Sequence, residues 1–194
     1  MEIRPLQTLI IEDDAICAQL LKEMLAVEGA GEVPFAVDFA SSLSQALVQL
    51  SKNSFDIALL DLHLPDVQGT DACAAVSAMA PSLAIVVVSG SAEQDGYATE
   101  CMEKGAQDYL VKGDFDRKHL LHSLRYAHQR KKIETEFKAT QQALLEANRA
   151  LIEKVHDLDR LNAVMMGREE RILEMKEEIK RLNEQLHKAW RVAS

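Results

Sequence analysis

Four groups of polar residues in this 194-residue chain stand directly after short apolar runs. They are Glu12-Asp13-Asp14, Asp61, Ser89 and Lys112, which follow residues 9–11, 57–60, 84–88 and 109–111. Two carboxylates 4 Å apart repel each other by about 4 kcal/mol at an effective dielectric constant near 20. A hard divalent cation removes that repulsion, and an oxygen-only ligand set suits Mg²⁺, which also binds phosphate oxygens. The pattern therefore predicts an Mg²⁺-dependent phosphoryl site.

The elements that must position these residues are the apolar runs themselves. Continuous apolarity, as opposed to alternation, is typical of parallel strands that are buried on both faces. Helical stripes lie between the runs, one formed by Cys17, Leu20, Leu21 and Met24 and another by Leu43, Ala46, Leu47 and Leu50, whereas a helix near residues 98–104 has the weakest stripe. We predict five strands, at residues 9–11, 35–37, 57–60, 84–88 and 109–111. This alternation predicts a doubly wound, five-stranded parallel α/β sheet.

Sites in open parallel sheets form at the carboxyl ends of the strands, so the four polar groups should meet. Each group also has a plainer explanation. The acidic run could be a solvated loop or a helix N-cap, Asp61 a strand terminator, Ser89 a capping hydroxyl and Lys112 an exposed lysine. Their joint appearance at four strand ends favours the functional interpretation. His63 has no second residue at zinc-ligand spacing, so its side chain is interpreted as incidental.

Four segments, in this order and at these separations, resemble the receiver domain of two-component response regulators over roughly residues 5–127. They are residues 9–14, 60–69, 87–90 and 105–113. The resemblance implies that the sheet is of the flavodoxin-like kind and that Asp61 accepts a phosphoryl group from a histidine kinase or phosphotransfer protein. It also implies that Asp13 and Asp61 coordinate Mg²⁺ directly, that the backbone carbonyl of His63 is a third ligand, and that Glu12 acts through water.

The same resemblance assigns the remaining site residues. Ser89 would be the switch hydroxyl that moves toward the phosphoryl oxygens, Tyr109 the aromatic side chain that repositions with it, and Lys112 the partner of the phosphate. Gly113 stands where many family members have a proline with a cis peptide bond. We expect no catalytic turnover beyond the chain's own phosphoryl transfer and dephosphorylation, because the sequence has no nucleotide-binding glycine motif.

Charge and helix breakers divide the chain into a predicted receiver domain, residues 1–127, and a predicted coiled-coil helix, residues 128–194. Residues 1–128 hold 19 acidic and 8 basic side chains, whereas residues 129–194 hold 12 acidic and 14 basic side chains; all four prolines and seven of the eight glycines precede residue 114.

The net charge of −9 argues against general nucleic-acid binding. The absence of a membrane-length apolar run or signal peptide predicts a cytoplasmic protein without membrane contact. Three cysteines at no metal-ligand spacing predict buried free thiols.

The second part repeats with a period of seven. Counting from Phe137, the a positions are all apolar: Phe137, Leu144, Leu151, Leu158, Met165, Ile172, Ile179 and Leu186. The d positions are mixed: Thr140, Ala147, Lys154, Leu161, Arg168, Met175, Leu182 and Ala189. One narrow apolar stripe requires a partner helix, and this pattern predicts a parallel homodimeric coiled coil through residues 130–190. Phosphorylation of Asp61 would switch this dimer, which signals to a partner.

Two alternatives remain open at this point. A hairpin that turns near Gly167 would give a four-helix bundle in the dimer. The chain could also be a receiver and linker from a larger sensor kinase, cyclase or DNA-binding regulator, although no helix-turn-helix or basic region follows residue 129.

Overall fold

A computed structural model describes residues 4–26, 33–90 and 96–192, with side chains described as far as residue 184. Backbone contacts divide the chain into two units, Met1–Lys138 and Ala139–Ser194. The predicted boundary between residues 127 and 128 lies within α5 and stays a prediction. Among the described residues, no helix is both long and apolar enough to span a membrane.

The first unit alternates strands and helices, as the apolar runs predict. The strands are β1 (Leu6–Ile11), β2 (Phe35–Ala40), β3 (Ile57–Leu60), β4 (His63–Leu64), β5 (Val67–Gln68), β6 (Ala84–Ser89) and β7 (Asp108–Val111). The helices are α1 (Ala15–Ala26), α2 (Leu43–Lys52), α3 (Asp71–Met79), α4 (Tyr97–Glu103) and α5 (Arg117–Val192). The weakly striped region near residues 98–104 is therefore helical. The two-residue strands β4 and β5 form a small antiparallel hairpin that the sequence analysis did not predict.

Five of the strands form one parallel sheet in the order β2-β1-β3-β6-β7. The predicted fold class, a doubly wound five-stranded parallel sheet, is thus confirmed. Side chains of each central strand alternate between two cores; in β3, Ala58 and Leu60 join one core while Ile57 and Leu59 join the other. Helices α1 and α5 cover the second core, and the first core contains residues of α2, α3 and α4.

The packing of α1 differs from its predicted stripe. Its buried residues are Ala18, Leu21 and Leu25, whereas Leu20 is exposed. The buried face is therefore rotated toward Ala18, which joins the second core together with Leu21 and Leu25. All three cysteines are free; Cys73 and Cys101 are buried, and Cys17 is half-buried.

The long helix α5 continues through Gly167 without a break. The described helix thus has no hairpin at that position, contrary to the alternative that the sequence left open. A glycine inside a helix costs about 1 kcal/mol relative to alanine, which a long helix tolerates.

Candidate functional site

The acceptor candidate Asp61 lies at the carboxyl end of β3, in the middle of the sheet. Its backbone N–H donates to the carbonyl of Ile11 (2.9 Å), which continues the pairing of β3 with β1. The side chain is only 5% exposed. A carboxylate at this depth must be paired, because an unpaired buried charge is strongly unfavourable.

Lys112 supplies that pairing from the end of β7. Its Nζ lies 2.8 Å from Asp61 Oδ2 and 2.7 Å from Glu12 Oε2, and its backbone N–H donates to the carbonyl of Ser89 (2.8 Å). Burial by itself would lower the pKa of Lys112, but the hydrogen bonds and charges of Asp61 and Glu12 outweigh burial, so the pKa is raised. The ammonium group is therefore a stable counter-ion between two carboxylates.

Glu12 is as buried as Asp61, at 5% exposure. Desolvation is the main reason that its pKa is raised; Lys112 lowers it, while the charge of Asp61 raises it further. The backbone N–H of Glu12 donates to the carbonyl of Ala40 (3.0 Å), which fixes the start of the acidic run.

The three acidic residues of the run have different surroundings. Asp14 caps α1: its Oδ1 accepts the N–H groups of Ile16 (2.8 Å) and Cys17 (3.4 Å). The hydrogen bond from Ile16 is the main reason that the pKa of Asp14 is lowered. The plainer N-cap explanation is therefore correct for Asp14.

Oxygen atoms of Glu12, Asp13 and Asp61 all lie within 4.8 Å of one another. Three carboxylate donors at this spacing fit a hard cation such as Mg²⁺. Two of them are buried and one, Asp13, is exposed, so the cluster opens to solvent on one side.

Ser89 ends β6, beside β3 and β7 in the sheet. Its side chain is completely buried, and its hydroxyl has no hydrogen-bond partner among the described residues. A buried hydroxyl without a partner is unfavourable, and a phosphoryl oxygen would supply the missing acceptor. Gly90, which follows, has open space where a Cβ atom would stand.

The loop after Asp61 is fixed from both sides. The backbone N–H of His63 donates to Asp61 Oδ1 (3.2 Å), while the imidazole ring is exposed. At the other end of the hairpin, the carboxylate of Asp66 accepts the N–H groups of Leu43 (2.9 Å) and Ser44 (2.8 Å) at the start of α2. These bonds hold the segment that carries the predicted His63 carbonyl ligand.

Tyr109 lies in β7 and packs against the core that contains α4. It is half-buried.

The structure brings Glu12, Asp13, Asp61 and Lys112 into one cluster, and the backbone N–H of Lys112 donates to the backbone carbonyl of Ser89. Among the described residues, no peptide bond is cis, including the bond between Lys112 and Gly113.

Sequence reasoning missed a polar network that joins α3 to α4. The Thr70 hydroxyl donates to Glu100 (2.6 Å) and accepts from Lys104 Nζ (2.7 Å). Lys104 also contacts Asp71 (2.9 Å) and Glu100 (2.8 Å). The one feature of the sequence that could have indicated this network is the spacing of Glu100 and Lys104 by four residues, which is typical of an ion pair on a helix.

Comparison with known proteins identifies this arrangement. The family model of the response regulator receiver domain matches residues 8–125. The chain belongs to this family. Its receiver domain is 35% identical over 108 residues to the cell cycle transcriptional regulator CtrA of Caulobacter vibrioides, a match that covers 55% of this chain and 44% of CtrA. It is 34% identical over 104 residues to the alginate biosynthesis transcriptional regulatory protein AlgB of Pseudomonas aeruginosa, covering 54% of this chain and 22% of AlgB.

A solved structure gives the same result for the receiver fold. A sensor protein from Polaromonas sp. JS666 is 32% identical, with a TM-score of 0.56, and the match covers 66% of this chain and 98% of that one. The chain spans less than half the length of the two curated relatives named above. The matches therefore concern the receiver domain and not the activity of the whole relatives.

Proposed function

We propose that the receiver domain accepts a phosphoryl group on Asp61 from a histidine kinase or phosphotransfer protein. The observation that carries the proposal is the buried Asp61 carboxylate, held by Lys112 at 2.8 Å within a cluster of three carboxylates. An Asp61 oxygen attacks the phosphorus atom, the bond between phosphorus and the donor nitrogen breaks, and its electron pair stays on that nitrogen.

In this proposal Asp13 and Asp61 would hold Mg²⁺ directly, together with the backbone carbonyl of His63, and Glu12 would act through water. The bound cation would neutralise charge on the transferring group. Lys112 pairs with the phosphoryl oxygens and orients them. Ser89 donates its unpaired hydroxyl to one of those oxygens, and Tyr109 repositions with it.

The acceptor test uses a small phosphodonor with Mg²⁺, in which the bond between phosphorus and the carboxyl oxygen of acetyl phosphate breaks and acetate leaves. We expect the wild-type chain to gain one phosphoryl group by intact mass and the Asp61→Asn variant to gain none. Asp38→Asn, which removes an exposed carboxylate from β2, is the matched control and should be labelled like wild type. Undiminished labelling of Asp61→Asn would end the assignment.

We further propose that α5 pairs with the same helix of a second copy through residues 130–190. The described a positions support this pairing, since they are 40–67% exposed in the single chain: Phe137, Leu144, Leu151, Leu158, Met165, Ile172 and Ile179. Regularly spaced apolar side chains of this size are typical of a helix that has a partner. The remaining a position, Leu186, lies outside the described side chains.

Light scattering with and without beryllofluoride and Mg²⁺ tests the dimer and its switching. We expect a dimer whose stability or dimensions change with the phosphoryl mimic. A monomer under both conditions would remove the coiled-coil part of the proposal and leave the acceptor chemistry intact.

The switched dimer would act by binding a partner in the cytoplasm and would turn over no substrate of its own beyond phosphoryl transfer and dephosphorylation. A second candidate is a receiver and linker within a longer sensor kinase, cyclase or DNA-binding regulator, because the relatives CtrA and AlgB are longer transcriptional regulators. Intact mass of the protein from its native cells separates the two candidates.

A further inference from the structure

The imidazole ring of His63 lies beside the carboxylate cluster of Glu12, Asp13 and Asp61. Its Nδ1 is 3.8 Å from Asp61 Oδ1, and the side chain is 56% exposed. The sequence analysis interpreted this side chain as incidental, because no second ligand stands at zinc-ligand spacing. The structure brings the neighbours from elsewhere in the chain, since the pairing of β3 with β1 places Asp61 beside Asp13, which is 50 positions before His63.

The two carboxylate oxygens of Asp61 have different surroundings. Oδ2 lies 2.8 Å from Lys112 Nζ, whereas Oδ1 accepts a longer hydrogen bond from the backbone N–H of His63 (3.2 Å). Oδ1 therefore has the weaker charge compensation, and it is the oxygen that the imidazole approaches. A cation bound at Oδ1 would be within reach of the ring nitrogen.

The distance of 3.8 Å between His63 Nδ1 and Asp61 Oδ1 distinguishes a hydrogen bond from shared coordination. An N–H···O hydrogen bond is about 2.7–3.2 Å long, so these two atoms do not share a proton. Two ligands that are each about 2.1 Å from one cation are about 3.0 Å apart when adjacent in an octahedron and about 4.2 Å apart when opposite. The observed distance falls within the range for two ligands of one cation.

The backbone around His63 is held from both sides. Leu62 and Leu64 are buried in the first core, and His63 pairs with Gln68 in the hairpin of β4 and β5. The ring is therefore free to rotate only about its own two side-chain bonds. Little conformational entropy is lost when a side chain fixed in this way binds a cation.

We propose that the His63 imidazole is a further ligand of the cation at the carboxylate cluster, which gives the site a preference for divalent transition metal ions such as Co²⁺ or Zn²⁺ over Mg²⁺. This inference rests on the cation site of the proposed function. Carboxylate, carbonyl and water ligands suit Mg²⁺, whereas an imidazole nitrogen suits transition metals. The neutral ring binds through the lone pair of Nδ1 and keeps its proton on Nε2.

Calorimetric titration of the full chain with Co²⁺ and with Mg²⁺ tests the preference. Oxygen ligands also bind Co²⁺, so the measured quantity is the change in the ratio of Co²⁺ to Mg²⁺ affinity between wild type and His63→Ala. We expect this ratio to fall at least about tenfold in His63→Ala, because Co²⁺ loses a ligand that Mg²⁺ uses less. The matched control is His122→Ala, which removes an exposed imidazole that stacks on Tyr126 in α5 and should keep the wild-type ratio.

Two further measurements locate the Co²⁺ ion. Wild type loaded with Co²⁺ should show a strongly shifted proton resonance from the N–H group of a metal-bound imidazole, and His63→Ala should lack it. Asp13→Asn should weaken the binding of both metal ions, because it removes a carboxylate of the shared cluster.

An unchanged ratio in His63→Ala, with both affinities equally reduced, would overturn the inference, because only the backbone ligand of His63 would then be involved. Tight Co²⁺ binding that persists in Asp13→Asn would also overturn it, since the ion would lie elsewhere. With either result, labelling of wild-type Asp61 in the presence of Mg²⁺ would leave the proposed function standing. A wild-type chain that binds neither metal ion would instead contradict the proposed cation site, and this inference with it.

Discussion

Lys112 Nζ lies 2.8 Å from Asp61 Oδ2, an oxygen of one of the three carboxylates that could hold a cation. The same ammonium group contacts Glu12 at 2.7 Å. In the proposed site Lys112 would therefore compete with Mg²⁺ for the carboxylates and would also assist the phosphoryl group, two roles that mutation can separate.

Replacing Lys112 by methionine should separate them. We expect Lys112→Met to bind Mg²⁺ about tenfold more tightly, or about 1.4 kcal/mol, because two buried carboxylates lose their internal counter-ion. Labelling by acetyl phosphate should nevertheless slow. Calorimetric Mg²⁺ titration and intact-mass kinetics measure the two effects. Lys104→Met is the control, since its ammonium pairs with Glu100 and Asp71; an unchanged Mg²⁺ dissociation constant in Lys112→Met would contradict the competition.

Ser89→Ala should stabilise the Mg²⁺-free protein by about 1 kcal/mol, because it removes a buried hydroxyl that has no partner among the described residues. The contrasting variant is Ser123→Ala, whose buried hydroxyl donates to Asp108 Oδ2 and whose loss should destabilise by about 1–2 kcal/mol. Urea unfolding measures both. We also expect Ser89→Ala to lose most of the stabilisation that beryllofluoride gives to wild type; destabilisation of unliganded Ser89→Ala would be the contrary result.

The raised pKa of Glu12 makes stability depend on pH in a defined direction. The folded state keeps the Glu12 proton at pH values where the unfolded chain, with a pKa near 4.5, has lost it. The contribution of Glu12 to stability is therefore present at low pH and is lost as pH rises through the raised, folded-state pKa.

Unfolding in chelator-containing buffer at pH values from about 4 to about 7 tests this direction. The free energy of unfolding of wild type should fall relative to Glu12→Gln as pH rises. Glu23→Gln, on the exposed side of α1, should run parallel to wild type. Mg²⁺ binding should show the opposite trend and tighten with rising pH, because the cation requires the ionised carboxylate. A difference between wild type and Glu12→Gln that stays constant with pH would refute the assignment.

Thr70→Val should cost about 1–2 kcal/mol of stability. The buried Thr70 hydroxyl both donates to Glu100 and accepts from Lys104, and valine leaves these groups without their shared partner. Asp71→Asn, at an exposed carboxylate of the same network, should cost less than about 0.5 kcal/mol. Denaturant unfolding compares the two; equal losses would show that the network depends on surface charge instead of the buried hydroxyl.

Leu158→Glu should weaken the proposed dimer by more than about 100-fold, because two leucines would leave the interface and two carboxylates would enter it. Ala163→Glu, at an f position that faces away from the seam, adds the same charge and should leave the dimer intact. Sedimentation equilibrium measures both. Equal dissociation in the two variants would mean that net charge, and not the heptad stripe, controls association.

The strands were predictable because their signal is local. Residues 57–60 form an unbroken apolar run that is buried on both faces, and β3 has those bounds. The meeting of the acidic run, Asp61, Ser89 and Lys112 at one sheet edge followed from the parallel topology. The hairpin of β4 and β5 was not predictable, since two-residue strands have no periodicity.

Other features of the site depend on turn geometry or on contacts between residues distant in sequence. Asp13 and Asp14 are neighbours of the same type, yet only the turn into α1 decides that Asp14 is the cap. The ion pair of Lys112 with Glu12 joins residues 100 positions apart. In α1, Ala18 joins the second core while Leu20 is exposed, a choice that the spacing of apolar residues alone does not decide.

The hydrogen bonds between Asp66 and the first turn of α2 have a consequence for ligand binding at the carboxylate cluster. Hydrogen bonds from Leu43 and Ser44 to Asp66 hold the segment after Asp61 from outside the carboxylate cluster. The conformational entropy of this segment is therefore lost on folding and not on ligand binding. Preorganisation of this kind removes one unfavourable component of the binding free energy. Removing these hydrogen bonds, for instance with Asp66→Ala, should therefore weaken binding of the proposed ion even though Glu12, Asp13 and Asp61 are unchanged.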